Sequence, residues 1–122
     1  MPGLEDFFTY GYQSKEFKVG EKPLKLGVLD AKHFQDALEA SASAKDETSK
    51  FLEFKKQILA RAIMSCDGIT YCVAPNKITE EEIKKTLDAL EKFHVILINK
   101  LYEFYDELDK EVQQNLDNDI KK

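Results

Sequence analysis

The sequence predicts a mainly α protein, a helical domain with a small N-terminal β-hairpin and a long C-terminal amphipathic helix. Apolar residues and lysines alternate on both sides of a Gly/Pro-containing break in residues 15–29, which is typical of two short paired strands. Later in the chain, apolar residues recur at the three- and four-residue steps of amphipathic helices. The chain has 122 residues, of which 43% are hydrophobic and 34% charged, so we expect one domain with one core.

Residues 1–14 are predicted to form an extended arm in front of a single small domain over residues 15–122. The arm has no run long enough for a stable helix, and it carries four closely spaced aromatic side chains: Phe7, Phe8, Tyr10 and Tyr12. Because so much aromatic surface is unfavourable in water, these side chains pack either on the chain's own core or on another subunit. Both alternatives stay open, and the four residues are candidate partner-binding residues.

The first half of the predicted domain contains the hairpin and two helices. The hairpin over residues 15–29 turns at residues 20–23 and directs one apolar set toward the core: Phe17, Val19, Leu24, Leu26 and Val28. Asp30 is suited to cap a helix over residues 30–42, since its carboxylate accepts hydrogen bonds from first-turn N–H groups. Residues 47–65 again show helical periodicity and predict a second helix.

The last third of the chain begins after Asp67 and Gly68, which favour a tight turn followed by a short extended piece. Thr79 and Glu82 have the spacing of a capping box, which predicts the start of a helix over residues 79–116. One coiled-coil-like seam runs along this helix: Ile83, Leu87, Leu90, His94, Leu97, Leu101, Phe104 and Leu108. Because His94 stands alone in this seam, it is interpreted as a core or interface histidine.

The middle of the predicted last helix is apolar nearly all round between Phe93 and Ile98, so it needs cover on more than one side. Its candidate partner-binding residues are Phe93, Leu97, Leu101, Tyr102 and Tyr105. The seam favours self-association into a dimer, and cover by the helix over residues 47–65 within one chain is the alternative.

Composition and motifs argue against catalysis, nucleic-acid binding and membrane insertion. The net charge of −5 disfavours a phosphate-backbone partner, and no apolar run approaches the roughly 20 residues that span a bilayer. The sequence lacks phosphate-binding glycine loops, nucleophile elbows and zincin motifs. Cys66, Cys72, His33 and His94 do not have the spacing of a zinc site. We therefore expect no metal, no cofactor and no enzymatic activity, in a cytoplasmic protein with reduced thiols.

Three stretches of the chain carry a family resemblance. The first is EFKVGEKPLKLGVLD, the second is FKKQILARAIMSCDGITY with an Asp-Gly pair shortly after ILARAI, and the third is LDALEKFHVILINKLYEFYDELDKEV. In this order, over roughly residues 16–112, they resemble the small tail assembly chaperones of tailed bacteriophages. The aromatic arm is not part of that pattern.

The resemblance implies a non-catalytic protein that binds an aggregation-prone tail protein, typically the tape measure, in the host cytoplasm while the tail tube assembles. The family has no catalytic residues that would carry over to this chain. Because the aromatic arm is outside the pattern, a structural subunit of the virion, in its tail, neck or head-associated parts, is the first alternative. A small helical adaptor protein is the second alternative.

Overall fold

The computed structural model describes Gly3, Leu4 and residues 13–121, which form a mainly α fold with a small sheet. The elements in chain order are β1 Ser14–Val19, β2 Lys22–Gly27, α1 Ala31–Ser41, α2 Glu47–Ala62, β3 Ile63–Cys66, β4 Ile69–Thr70, a 3-10 turn Pro75–Lys77, α3 Glu80–Leu90 and α4 Val95–Lys121. The aromatic residues of the predicted arm, Phe7, Phe8, Tyr10 and Tyr12, lie outside the described residues. In the described part of the chain, no helix combines the length and the apolar character needed to cross a bilayer.

The strands form one antiparallel sheet in the order β1-β2-β3-β4, whereas the sequence predicted only the first hairpin. Gly20 has a φ of 65° in the two-residue turn between β1 and β2, as a type II′ turn requires at its first position. This turn is shorter than predicted, because Pro23 already pairs with Lys18. The predicted Asp67–Gly68 turn is present, with φ values of 51° and 85°, and it closes a second hairpin of type I′ geometry.

Helix α1 begins at its predicted N-cap, and α2 begins where predicted but ends earlier than predicted. Asp30 Oδ1 accepts a hydrogen bond from the His33 N–H at 2.8 Å, and Asp46 caps α2 in the same way. The predicted second helix over residues 47–65 is too long, since α2 ends at Ala62 and Ile63 turns extended with ψ of 117°. From there β3 pairs with β2. A short apolar run suits a buried strand as well as a helix, so periodicity did not separate the two.

The predicted single helix over residues 79–116 is in fact two helices, because residues 91–94 separate α3 from α4. Its start is as predicted: the Thr79 hydroxyl accepts from the Glu82 N–H, and the Glu82 carboxylate accepts from the Thr79 N–H. Its end lies further along the chain than predicted, at Lys121. The sequence did not predict the break, because the apolar residues continue at steps of three and four through residues 91–94.

His94 marks this break and is exposed, so it is not a core histidine, and its interpretation as an interface histidine stays a prediction. Its Nδ1 accepts a hydrogen bond from the Ile96 N–H at 3.0 Å, and its carbonyl accepts from the Ile98 N–H. The His94 side chain therefore satisfies one of the N–H groups that every helix start leaves without an intrahelical partner, and its carbonyl accepts the first hydrogen bond of the helix.

The core lies between the inner face of the sheet and the helices α2, α3 and α4. Its centre is α2, which contacts α1, α3 and α4 and carries the fully buried Ile58 and Leu59. Four residues of the predicted seam are buried here within one chain: Ile83, Leu90, Leu101 and Leu108. The seam therefore packs on the chain's own helices and sheet.

Helix α4 crosses the inner face of the sheet antiparallel to β1. Near the start of β1, Lys15 forms salt bridges with Glu107 and Glu111, and further along, the Phe17 ring stacks on Phe104 at a centroid distance of 4.7 Å. The C-terminal end of β1 therefore lies beside the N-terminal end of α4. This arrangement places the hairpin turn next to the break between α3 and α4.

Candidate functional site

The candidate residues predicted in the last helix divide into exposed and buried groups. Phe93 is 39% exposed and Leu97 is half-buried, whereas Leu101 and Tyr105 are each only 4% exposed and belong to the core. Tyr102 is half-buried between these groups. Only Phe93 and Leu97 therefore present much of their side chain at the break between the two helices, and Leu101 and Tyr105 are structural in the monomer.

The break creates an apolar surface that we call the junction surface, consisting of Val19, Phe93, Val95, Ile96 and Leu97. Val95 is 48% exposed and Ile96 is 65% exposed in the first turn of α4, and Val19 is 39% exposed at the end of β1. The sequence predictions did not select Val95 or Ile96, and they placed Val19 in the core, which its exposure at the end of β1 shows to be wrong. The sequence signal for the two α4 residues was the apolar run from Phe93 to Ile98, which was predicted to be covered on more than one side of a continuous helix.

A cavity of about 160 Å³, partly open to solvent, is lined by Val19, Phe93 and Leu97 of the junction surface but not by Val95 or Ile96. Its walls are apolar and include the buried side chains Leu24, Ile63, Leu90 and Leu101. Val19, Lys22 and Phe93 are its exposed lining residues, and the half-buried Cys66 also lines it. The cavity is therefore formed jointly by the hairpin turn, β3 and the two helix ends at the break.

Thr86 is the buried polar residue that lines this cavity. Its side chain is 3% exposed, and its Oγ1 has no hydrogen-bond partner among the described residues. A threonine inside a helix often bonds to the carbonyl four residues earlier, but here that bond is not formed. A buried hydroxyl without a partner costs about 1–3 kcal/mol. Because this oxygen has almost no accessible surface, it lies behind the apolar wall of the cavity.

Tyr105 and Tyr102 have structural partners that explain their positions. Tyr105 Oη accepts a hydrogen bond from the Leu29 N–H at 3.3 Å, and burial raises the pKa of this phenol to about 12. The Tyr102 ring lies edge-on to Phe54, and the Lys55 ammonium lies 5.6 Å from its centroid. Burial also raises the pKa of Tyr102. Both rings therefore join α4 to the elements that pack against it.

Among the described residues, no hydrogen bond joins His94 to either cysteine thiol. Cys72 is 2% exposed, its Sγ donates to the Ile63 carbonyl at 3.4 Å, and burial raises the pKa of its thiol to about 11. Cys66 is half-buried, and both thiols are free. The His94 imidazole is engaged by the backbone of α4. Within the described ranges, no cluster of three or more His, Cys, Asp or Glu side chains has the geometry to hold a metal ion.

A second exposed apolar group lies on α1 and α2, but it differs from the junction surface. Phe34, Leu38 and Phe51 are 38%, 48% and 64% exposed, and the Lys55 ammonium covers Phe51 at 5.0 Å from the ring centroid. The groove beside Phe34 and Leu38 is shallow, and carboxylates, including Asp109, line it. Of the two groups, the junction surface is the one with members, Val19, Phe93 and Leu97, that line an apolar cavity.

Comparison of the chain with protein-family models, with curated proteins and with solved structures finds no match. A function is therefore inferred from the fold, the junction surface and the sequence resemblance.

Proposed function

We propose that this chain is a non-catalytic assembly factor that binds an apolar segment of another protein at the junction surface. The observation that carries the proposal is the exposure of Phe93, Val95 and Ile96 at the break between α3 and α4, where Phe93 also lines an apolar cavity. Large apolar side chains that are exposed close to one another are typical of surfaces that bind other proteins.

The exposed apolar residues of this surface can contribute binding energy to a partner. Burying one large aliphatic or aromatic side chain contributes about 1.5–3 kcal/mol, so a few such residues supply substantial affinity. The rest of the exterior carries many charges, with a net charge of −5, which keeps a chain with an exposed apolar surface in solution. An assembly factor needs both properties, because it holds an apolar segment of its partner and then releases it.

The partner we propose is a bacteriophage tail protein such as the tape measure, bound in the host cytoplasm during assembly. This part of the proposal is supported by the resemblance over residues 16–112 to the tail assembly chaperones. Tape measure proteins are elongated and aggregation-prone before the tail tube surrounds them, so a binder with an apolar surface suits that stage.

Co-purification tests the proposal directly. The tagged chain is co-expressed with each tail protein encoded beside it, one at a time, and the material retained on the affinity resin is identified. We expect one elongated tail protein to co-purify and to be more soluble with this chain than without it. Retention of none of the tail proteins, with the tagged chain itself folded and soluble, would overturn the proposal.

The second candidate function is a structural subunit of the virion, which the aromatic residues Phe7, Phe8, Tyr10 and Tyr12 favour at the sequence level. Mass spectrometry of purified particles separates the two functions. An assembly factor is expected to be missing from mature particles, whereas a structural subunit is present in many copies. A stoichiometric amount of this chain in mature particles would contradict the assembly-factor proposal and support the structural-subunit proposal.

A further inference from the structure

Strand β1 is an edge strand, and its outer side has no partner strand in the described part of the chain. The sheet has the order β1-β2-β3-β4, so β1 pairs with β2 alone. An edge strand presents a row of unpaired N–H and C=O groups, which can pair with a strand of another chain. The outer side of Ser14–Val19 is therefore available for a further strand.

The register of the hairpin shows which backbone groups of β1 point outward. Val19 and Lys22 close a two-residue turn and therefore form a hydrogen-bonded pair. Just before β1, the Gln13 carbonyl accepts from the Val28 N–H at 3.0 Å, so this pair is hydrogen-bonded too. Hydrogen-bonded and non-hydrogen-bonded pairs alternate along an antiparallel ladder. Three residues of β1 therefore direct their N–H and C=O groups away from β2: Ser14, Glu16 and Lys18.

Pro23 agrees with this assignment. It lies opposite Lys18 and has no N–H to donate, and its carbonyl accepts from the Asp67 N–H at 2.9 Å, on the other side of β2. The side chains of the three outward residues are also exposed. Neither side chains nor strands of the described residues therefore cover this edge.

The outward residues of β1 carry opposite charges in a self-complementary order. When two copies pair antiparallel with Phe17 opposite Phe17, Glu16 of each copy lies opposite Lys18 of the other, twice by symmetry. Unlike charges directly opposite each other stabilise an antiparallel pair, and like charges destabilise it. A slip of two residues, the smallest that keeps the hydrogen-bonding groups facing, places Glu16 opposite Glu16 or Lys18 opposite Lys18. The charges thus favour one register.

Helix α4 carries a second self-complementary set of charges. Phe104 stacks on Phe17, and Glu107 contacts Lys15, so this side of α4 faces β1. Lys100 lies one turn before Phe104 on the same side, and Lys100 and Glu107 are both exposed. Around a twofold axis beside Phe17, the two copies of α4 run antiparallel. Lys100 of each copy then faces Glu107 of the other.

The spacing of the elements suits this arrangement. Helix α4 contacts both β1 and β2, so it lies about one strand spacing, about 4.8 Å, from the twofold axis. The two copies of α4 are then about 10 Å apart, close to the about 8–10 Å of packed helices. Val19, which is 39% exposed, lies opposite Lys15 of the second copy, whose aliphatic stem covers part of it.

We propose that β1 is the contact of a symmetric dimer, in which two copies of this chain join their sheets edge to edge into one continuous antiparallel sheet. Charged residues often prevent an edge strand from pairing, but here the signs of Glu16 and Lys18 match a second copy. The dimer goes beyond the proposed assembly function, because it needs no tail protein. Its failure and the failure of tail-protein binding are therefore separate results.

Charge reversal tests the register. Sedimentation velocity of the full chain, from micromolar to millimolar concentration, should show a reversible equilibrium between monomer and dimer. Glu16→Lys and Lys18→Glu each turn both cross-strand pairs into like charges, so each should weaken the dimer at least about tenfold. The double variant restores both pairs with exchanged signs and should return to within about threefold of the wild-type affinity.

Lys85→Glu is the matched control, because Lys85 is exposed on α3 and its reversal changes the net charge as Lys18→Glu does. It should leave the dimer unchanged. Glu16 also lies opposite Lys25 within the chain, so circular dichroism verifies that Glu16→Lys is folded. The Lys18→Glu variant faces Pro23 instead and tests the same contact without that neighbour.

Amide hydrogen exchange locates the contact in the wild-type protein without any variant. The N–H groups of Glu16 and Lys18 point to the free edge, so they should exchange slowly only at concentrations where the dimer is populated. The N–H groups of Lys15 and Phe17 bond to β2 and should be protected at every concentration, as the internal reference.

Three results would overturn the proposal. One is a strict monomer at millimolar concentration. Another is a dimer in which the Glu16 and Lys18 amides exchange as fast as in the monomer, which would place the contact elsewhere. The third is a folded double variant that dimerises no better than Lys18→Glu alone, which would contradict the pairing of Glu16 with Lys18.

Discussion

Tyr105 shows how one residue that was predicted to bind a partner instead stabilises the fold. Its Oη accepts a hydrogen bond from the Leu29 N–H, in the connection between β2 and α1. We expect Tyr105→Phe to lower the free energy of unfolding by about 1–3 kcal/mol, because the buried Leu29 N–H loses its partner. Urea unfolding followed by circular dichroism measures this change. An unchanged midpoint would show that this hydrogen bond contributes nothing.

The raised pKa of Tyr105 also predicts a dependence of stability on alkaline pH. Burial raises this pKa from 10.0 to about 12, so folding favours the neutral phenol. The resulting stability is fully present below about pH 10 and is lost as the pH rises toward 12. Wild-type protein should therefore lose more stability across this interval than Tyr105→Phe does. Parallel pH profiles of the two proteins would contradict the prediction.

At the scale of the element, the break between α3 and α4 depends on the cap that His94 supplies. Replacement of a capping side chain by alanine typically costs about 0.5–2 kcal/mol, and an aspartate retains the capping function. We expect His94→Ala to be less stable than the wild type and His94→Asp to be at least as stable, by thermal unfolding. If both variants unfold at the same temperature, the cap does not hold the start of α4.

Gly27 in β2 packs closely against the 3-10 turn. A Cβ on Gly27 would lie 2.8 Å from Pro75 Cγ and 2.9 Å from Met64 Sδ, and the φ of Gly27 is not positive. Gly27→Ala should therefore destabilise the fold through overpacking, by about 1–3 kcal/mol. The exposed Lys25→Ala on the same strand is the control and should change stability by less than about 0.5 kcal/mol. Similar melting temperatures for the two variants would contradict this close packing.

The elements that the sequence predicted well are those with local chemical signals. Asp30 and Thr79 start their helices as expected, and the Asp67–Gly68 turn is present, because capping and positive φ depend on neighbouring residues. The end of α2 and the break before α4 depend on tertiary packing instead. Ile63 pairs with β2, and the seam residues of both helices pack on one core, so helical periodicity alone was misleading.

At the scale of the whole molecule, the surroundings of the break could not be predicted from the sequence. The apolar run from Phe93 to Ile98 indicated residues that need cover, but a continuous helix would not bring Phe93 and Leu97 beside Val19 and Lys22. That neighbourhood results from the antiparallel crossing of α4 over β1, which no local pattern specifies. Thr86 was missed for the same reason, since an isolated threonine inside a helix has no distinguishing sequence signal.

Self-association also belongs to this scale and stays a prediction. Because the seam residues Ile83, Leu90, Leu101 and Leu108 are buried within one chain, a dimer would have to use exposed apolar residues such as Ile96. Sedimentation velocity at high concentration tests this: a dimer that Ile96→Asp dissociates would place the contact at the junction surface. A strict monomer would leave that surface open for another protein.

The most direct test of the central claim is calorimetric titration of the chain with the tail protein that co-purifies with it. Ile96→Asp alters the junction surface, and Ile120→Asp, at the far end of α4 and 72% exposed, is the matched control. Loss of one buried isoleucine contact predicts that Ile96→Asp weakens binding at least about tenfold, while Ile120→Asp binds like the wild type. Equal affinities for the wild type and Ile96→Asp, with both proteins folded, would contradict the claim that the partner binds at the break between α3 and α4.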